Sequence, residues 1–249
     1  MKPLIASFIA VFALLSGPAS ALDIQALIST ITNDASRADA DKARDSGRKP
    51  ISVLNFLGVE PGMTVVDLVA AAGYYTEVIS HAVGASGKVY MQNSPASLSG
   101  ERGARTATAI EARLDNRLSN VEQLVRDPDD LGLPSGSLDA AVIALEFHEL
   151  YLSDNSNAVS DFLAEARRVL KDGGVLGIVE HAGHPVYDPA PLHRALESQV
   201  VADAQAAGFF VSASSPLLEN PDDDRSLMVF DGSIRGATDR FVLRLVKTR

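Results

Sequence analysis

Three short stretches hold the side chains most able to do chemistry. The first is Val65-Val66-Asp67-Leu68-Val69-Ala70-Ala71-Ala72-Gly73-Tyr74-Tyr75-Thr76-Glu77, an apolar run that ends in a carboxylate, passes through small residues and opens a helix. Small residues let backbone approach a ligand closely, and the first N–H groups of a helix have no partner within it. Tyr74 and Tyr75 add aromatic faces able to border a cation, and Thr76 is expected to cap the helix. The second stretch is Leu145-Glu146-Phe147-His148-Glu149-Leu150-Tyr151, and the third is Val179-Glu180-His181-Ala182-Gly183-His184-Pro185. Each supplies a glutamate and a histidine, the residue types that move protons near neutral pH. His148, His181 and His184 among carboxylates also suit zinc or iron. No helical His-x-x-x-His pair reinforces that chemistry, so an organic ligand is the expectation and no metal site is assigned.

These stretches need a scaffold that brings them to one place. From Met63 onward, apolar runs predict strands at 65–69, 87–91, 121–125, 138–145, 175–179, 209–213 and 241–246. Amphipathic segments predict helices at 75–83, 105–118, 158–170 and 191–207. Strands separated by helical segments imply crossover connections, a mainly parallel sheet and helices on both faces. Ligands then bind beyond the carboxyl ends of the strands, which puts all three stretches on one rim. The polar stretch 219–240 between the last two strands reads equally as a binding lid or a solvated insertion.

Upstream, residues 22–31 carry a weak helical period, and Pro50 opens a short helix with Ile51, Leu54 and Leu57 on its buried face and Gly58 at its end. Between them, residues 36–50 are densely charged with both signs, which by charge alone predicts a solvated helix or linker. The extreme N-terminus has Lys2, an apolar run from Leu4 to Leu15 and Ala19-Ser20-Ala21. That pattern predicts a signal peptide over 1–21, cleaved after Ala21, and a periplasmic or secreted protein. The expected organisation is therefore a signal peptide (1–21), an N-terminal helical segment (22–50) and one α/β domain (51–249).

Composition narrows the partners. The 249 residues carry a formal charge of −10, with no basic cluster to bind a nucleic-acid backbone. The absence of cysteine excludes disulfides and thiolate metal sites. No apolar run is long enough for a stable membrane span once the signal is removed.

Several motifs together carry a resemblance. They are Ala43-Arg44-Asp45 through Arg48-Lys49-Pro50, Val59-x-Pro61-Gly62-Met63-Thr64-Val65, Gly73-Tyr74-Tyr75-Thr76-Glu77, Phe147-His148-Glu149, Leu170-Lys171-x-Gly173-Gly174-Val175-Leu176, Glu180-His181 and Ile234-Arg235-Gly236-x-Thr238-Asp239-Arg240-Phe241-Val242-Leu243. In order and content the chain resembles the class I S-adenosylmethionine-dependent methyltransferases, and more narrowly a bacterial group of exported ones. The resemblance implies an α/β three-layer Rossmann-like sandwich with a seven-stranded, mostly parallel sheet whose last strand is antiparallel. It implies that Asp67, Ala71, Gly73 and Tyr75 line the methionine and ribose part of the cofactor. Gln92 and Asn93 stand where an acid normally holds the ribose hydroxyls, and Arg126 and Asp127 would border the adenine. Glu146 and His148 would face the methyl group, with His148 as base and Glu146 or His181 assisting.

The expected function is methyl transfer from S-adenosylmethionine to a small-molecule acceptor. Ala71 and Ala72 occupy positions where the group usually has glycine, which motivates a second reading: an exported, non-catalytic ligand- or partner-binding module with the same fold. A third, a nicotinamide-dependent oxidoreductase, would require the Gly-x-Gly-x-x-Gly fingerprint that the chain lacks.

Overall fold

The computed structural model describes residues 22–249, so the expected signal peptide lies outside the described residues. In chain order the elements are α1 (Ile24–Asn33), α2 (Asp39–Lys42), α3 (Asp45–Arg48), α4 (Pro50–Leu57), β1 (Thr64–Leu68), α5 (Tyr74–Val83), β2 (Lys88–Asn93), α6 (Gly100–Leu114), β3 (Val121–Val125), β4 (Leu138–Ala144), α7 (His148–Tyr151), α8 (Ala158–Val169), β5 (Leu170–His181), α9 (Glu197–Ala206), β6 (Phe209–Ser215) and β7 (Arg240–Lys247).

The seven strands form one sheet in the order β3-β2-β1-β4-β5-β7-β6. The pairings β1–β2, β1–β4, β2–β3 and β4–β5 are parallel. β7 runs antiparallel to both β5 and β6. The three-layer Rossmann-like sandwich with its antiparallel last strand is as expected. The order reverses at β1/β4, the switch point where such sheets open a crevice.

Strand alternation divides the core in two. Val65, Ala140 and Val142 pack with α1, α4 and α5 on one face, while Val66, Ala141 and Ile143 pack with α8 and α9 on the other. Successive side chains of a strand point to opposite faces, so apolar runs of β-branched and small residues are what a sheet covered on both sides requires. Gly177 in β5 shows how closely the layers meet: a Cβ there would lie 2.3 Å from Leu57 of α4. No helix among the described residues is long and apolar enough to cross a membrane.

Four local expectations need correction. The charged run 36–50 is not a solvated linker: Arg37 is 2% exposed and grips Asp45 through two bonds of 2.5 and 2.8 Å. Charge alone cannot reveal a partner on another element, and here the partners lie within the run and on α5 and α6. Thr76 does not cap α5; Gly73 holds the cap position at φ 83°, and the Thr76 hydroxyl donates to Asp67 at 2.5 Å. The expected helix 191–207 begins only at Glu197, because Ala190–Leu192 forms a 3-10 turn, His193 is left-handed at φ 54° and Ala195 bridges to Ala182. The segment 219–240 is stitched into the fold. Buried Arg194 donates twice to Asp223 at 2.9 and 3.1 Å, and Asp223 accepts the Asp239 N–H at 2.7 Å.

Candidate active site

The loop after β1 is held by side chains from two elements, β2 and α6. Gln92 in β2 accepts the Val69 N–H at 2.7 Å, and Ala70 N–H donates to the Gln92 carbonyl at 2.8 Å. Asn93 donates to the Ala71 carbonyl at 3.2 Å. Arg113 of α6 donates to the Ala72 carbonyl at 2.6 Å, to Asp41 at 2.6 Å and to Glu77. The loop is strained as well as clamped: Val69 and Ala71 sit at φ 50° and 48°, and Leu145 opposite them at φ 65°. β-Branched and bulky residues rarely adopt positive φ, and such residues persist where the surroundings over-determine them, often at functional sites.

Below the loop a cavity of about 150 Å³ is lined by Asp67, Ala71, Tyr74, Tyr75 and Glu146, with Arg44 and Arg48 closing it from α3 and its approach. Burial pushes the Asp67 carboxyl up to about 7, with the Thr76 hydroxyl pulling the other way. Tyr74 does border cations, but they belong to this chain: the guanidinium groups of Arg37, Arg44 and Arg48 lie 5.6, 4.9 and 4.5 Å from its ring centre. Arg44 is paired with Asp41. Arg48 makes no salt bridge with any carboxylate of the described residues, although it lines the cavity and burial lowers its pKa.

A second cavity of about 310 Å³ continues from the first, sharing Val69 and Glu146 with it, and is lined also by Gln92, Ser94, Asp127, Glu149, Leu150 and Phe162. Asp67, Ala71, Tyr75, Gln92, Asp127 and Glu146 are therefore brought to one crevice. Gly73 and Asn93 stand behind its wall, shaping the loop. The Gln92 amide is committed at both ends, its nitrogen donating to the Arg126 carbonyl at 2.7 Å.

The histidines lie deeper than expected. His148 is 3% exposed; its backbone N–H donates to Glu180 at 3.0 Å and its Nδ1 meets the other Glu180 oxygen at 3.0 Å. Its Nε2 is 3.2 Å from Glu149, and that same oxygen is 2.9 Å from Nδ1 of His193. Burial opposes charge on His148, yet the bond and charge of Glu180 outweigh it and raise its pKa. His181 is the reverse case: burial, then Arg240 and His148, drive its pKa well below the usual histidine value, and its Nδ1 meets Thr238 at 2.7 Å. Glu146, raised by burial to about 7 against the pull of His148, is the member of the expected catalytic three that lines the crevice.

Sequence reasoning does not single out Arg48, Glu149 or His193 as site residues. Arg48 lies in a run whose charge pattern reads as surface, although its motif belongs to the resemblance. His193 lies inside an expected helix, and only its left-handed turn brings it beside His148.

Residues 67–178 match the family model described as a methyltransferase domain. Comparison with curated proteins gives no match. Among solved structures, a SAM-dependent methyltransferase from Aquifex aeolicus is similar at 25% identity and TM-score 0.60, over 90% of this chain and 98% of that one. The (4+2)-cyclase SpnF is similar at 17% identity and TM-score 0.61, over 90% and 92%. The 1,6-didemethyltoxoflavin-N1-methyltransferase of Burkholderia thailandensis, solved with 1,6-didemethyltoxoflavin and S-adenosylhomocysteine bound, is similar at 15% identity and TM-score 0.56, over 91% and 87%. The chain has the α/β fold of the class I S-adenosylmethionine-dependent methyltransferases, and the match to the methyltransferase-domain model runs over the strands that form the crevice.

Proposed function

We propose that this chain binds S-adenosylmethionine and transfers its methyl group to a small-molecule acceptor. The observation that carries this reading is Arg48: a guanidinium without a carboxylate partner among the described residues, facing a crevice whose other walls bear Asp67 and Glu146. Such a cleft complements a ligand with a carboxylate at one end and cationic nitrogen and sulfur beside it. Arg48, with Arg44, would hold the methionine carboxylate, and Asp67 and the Ala70–Ala72 turn the ammonium side. Ser94 borders the ribose region, since Gln92 is already bonded at both ends and Asn93 lies behind the wall, and Asp127, Leu150 and Phe162 border the adenine region. When bound, the cofactor supplies a methyl group on a sulfonium, and the protein contributes chiefly alignment of the acceptor with it. Glu146, rather than the buried His148, is the group placed to take an acceptor's proton.

Calorimetry with S-adenosylmethionine and S-adenosylhomocysteine tests the reading. Both are expected to bind, and Arg48→Met to weaken them about tenfold or more, the loss of one charge-assisted contact of roughly 1.5–3 kcal/mol. Failure of both ligands to bind at millimolar concentration sinks the proposal. Binding alone is not enough, because one fold can host more than one reaction, so methyl transfer needs a labelled-methyl acceptor screen. We further infer export, with cleavage after Ala21; mass spectrometry of the protein from the periplasm would show Leu22 as its first residue, and an intact N-terminus would refute it.

A further inference from the structure

We propose that His148, Glu149 and His193 form a site for a divalent transition metal of the zinc type beside the crevice. Their ligand atoms all lie within 4.8 Å of one another. Glu149 presents one oxygen to both imidazoles, 3.2 Å from His148 Nε2 and 2.9 Å from His193 Nδ1. Tetrahedral zinc with bonds of about 2.0–2.1 Å separates its ligands by roughly 3.4 Å, so the Glu149 oxygen lies within a few tenths of an ångström of that spacing from each imidazole.

The hydrogen bonding leaves a place for a positive charge between these groups. A carboxylate only accepts, so Glu180, 0% exposed, requires His148 Nδ1 to be the donor. A neutral His148 then turns the lone pair of Nε2 toward the oxygen of Glu149. Two acceptors facing each other at 3.2 Å repel unless a positive charge, a proton or a metal ion, sits between them. A proton on Nε2 joins His148 alone to Glu149, with neutral His193 donating from its own Nδ1, whereas a metal ion would join both imidazoles to the carboxylate through one centre. A buried carboxylate holding the far nitrogen of an imidazole is also the arrangement that orients histidine ligands in metal sites. His193 is held in place from two sides. Its left-handed backbone at φ 54° is followed by Arg194, whose side chain is locked to Asp223, and Phe230 packs on its ring at 5.0 Å. The similar cluster Asp34–Glu77–His81 lacks this need, because Arg113 and Arg117 already neutralise Glu77.

Three protein ligands leave a position open, as in catalytic rather than structural zinc sites. Glu149 lines the 310 Å³ cavity, so a ligand entering from the crevice would reach an ion bound there. That ligand would be an acceptor hydroxyl, whose pKa a bound dication lowers. The acceptor class, unlike the metal site itself, rests on the methyl-transfer reading. The alcohol gives its proton to Glu146 on coordination; its oxygen then bonds the methyl carbon as the carbon–sulfur bond breaks, and that electron pair stays on the neutral thioether.

The test titrates the chelator-treated full chain with Co²⁺, read by visible absorption, and with Zn²⁺ by calorimetry, while S-adenosylhomocysteine binding is measured separately without metal. One equivalent of Co²⁺ is expected, displaced by Zn²⁺. His193→Ala and Glu149→Gln should each weaken it at least tenfold, Glu180→Gln by about 10–100-fold, and Asp34→Asn not at all. No bound Co²⁺, or a His193→Ala protein that binds it as wild type does, overturns the site. If Co²⁺ binds as described but S-adenosylhomocysteine does not, the metal site stands and the methyl-transfer reading falls.

Discussion

Asp67 offers a quantitative check on the crevice. Its carboxyl is 2% exposed, and burial raises its pKa from an ordinary 3.8 to about 7. A carboxyl whose folded pKa is raised keeps its proton more readily in the native state. The folded protein therefore binds more protons than the unfolded one, and stability falls as pH rises from about 4 to about 7. With those two values, ionisation of Asp67 costs roughly 1.7 kcal/mol at pH 5 and roughly 4.3 kcal/mol at pH 8. Asp67→Asn removes this dependence while keeping an oxygen for the Thr76 hydroxyl, which donates to Asp67 at 2.5 Å. Equilibrium urea unfolding of both proteins at pH 5, 6.5 and 8 measures the effect. The stability of the variant relative to wild type should increase by about 2.5 kcal/mol from pH 5 to pH 8. Any fixed cost of the amide cancels in that difference. A constant difference, or one moving the other way, would refute the assignment of Asp67 as a buried, proton-retaining carboxyl.

Other substitutions probe the loop and its clamp. Arg113→Met leaves Glu77 and Asp41 without a shared cation and the Ala72 carbonyl without its donor; we expect a loss of about 3–5 kcal/mol, seen as a thermal midpoint lower by about 10 °C. Ala71→Gly relieves an alanine at φ 48°; the relief of about 1–2 kcal/mol exceeds the unfolded-state entropy of glycine, for a net gain of about 0.5 kcal/mol in chemical denaturation. Gly73→Ala, at φ 83° with Met91 Cε 2.7 Å and Arg113 Cδ 3.0 Å from the new methyl, should lose about 1–3 kcal/mol and weaken S-adenosylhomocysteine binding in calorimetry.

The residues legible from the chain alone are those whose environment repeats along it. Val65 to Val69 and Leu138 to Leu145 read as strands because unbroken apolar runs between turn residues are what a doubly covered sheet demands, and their ends locate the rim. Gly58, Gly84 and Gly208 mark helix ends through their own backbone freedom. The rim assignment puts the ends of β1, β2, β3 and β4 side by side; of the residues that the resemblance names there, Asp67, Ala71, Tyr75, Gln92, Asp127 and Glu146 line the crevice, while Gly73, Asn93, His148 and His181 do not.

What periodicity could not supply were pairings between distant elements. Arg37, Asp41 and Arg48 look alike in a charged run, yet one is buried on Asp45, one is shared with Arg113 and one faces the crevice. The same limit separates His148 from His193: one follows β4 and the other a left-handed turn after β5, and nothing local to either announces the other. The order of strands and helices, and the edge of the sheet where the crevice opens, follow from local hydrophobic pattern and turn chemistry and so can be read along the chain. Which charges are neutralised, which nitrogens are aimed and which carboxyl burial raises emerge only in three dimensions, because they depend on packing between side chains far apart in the chain.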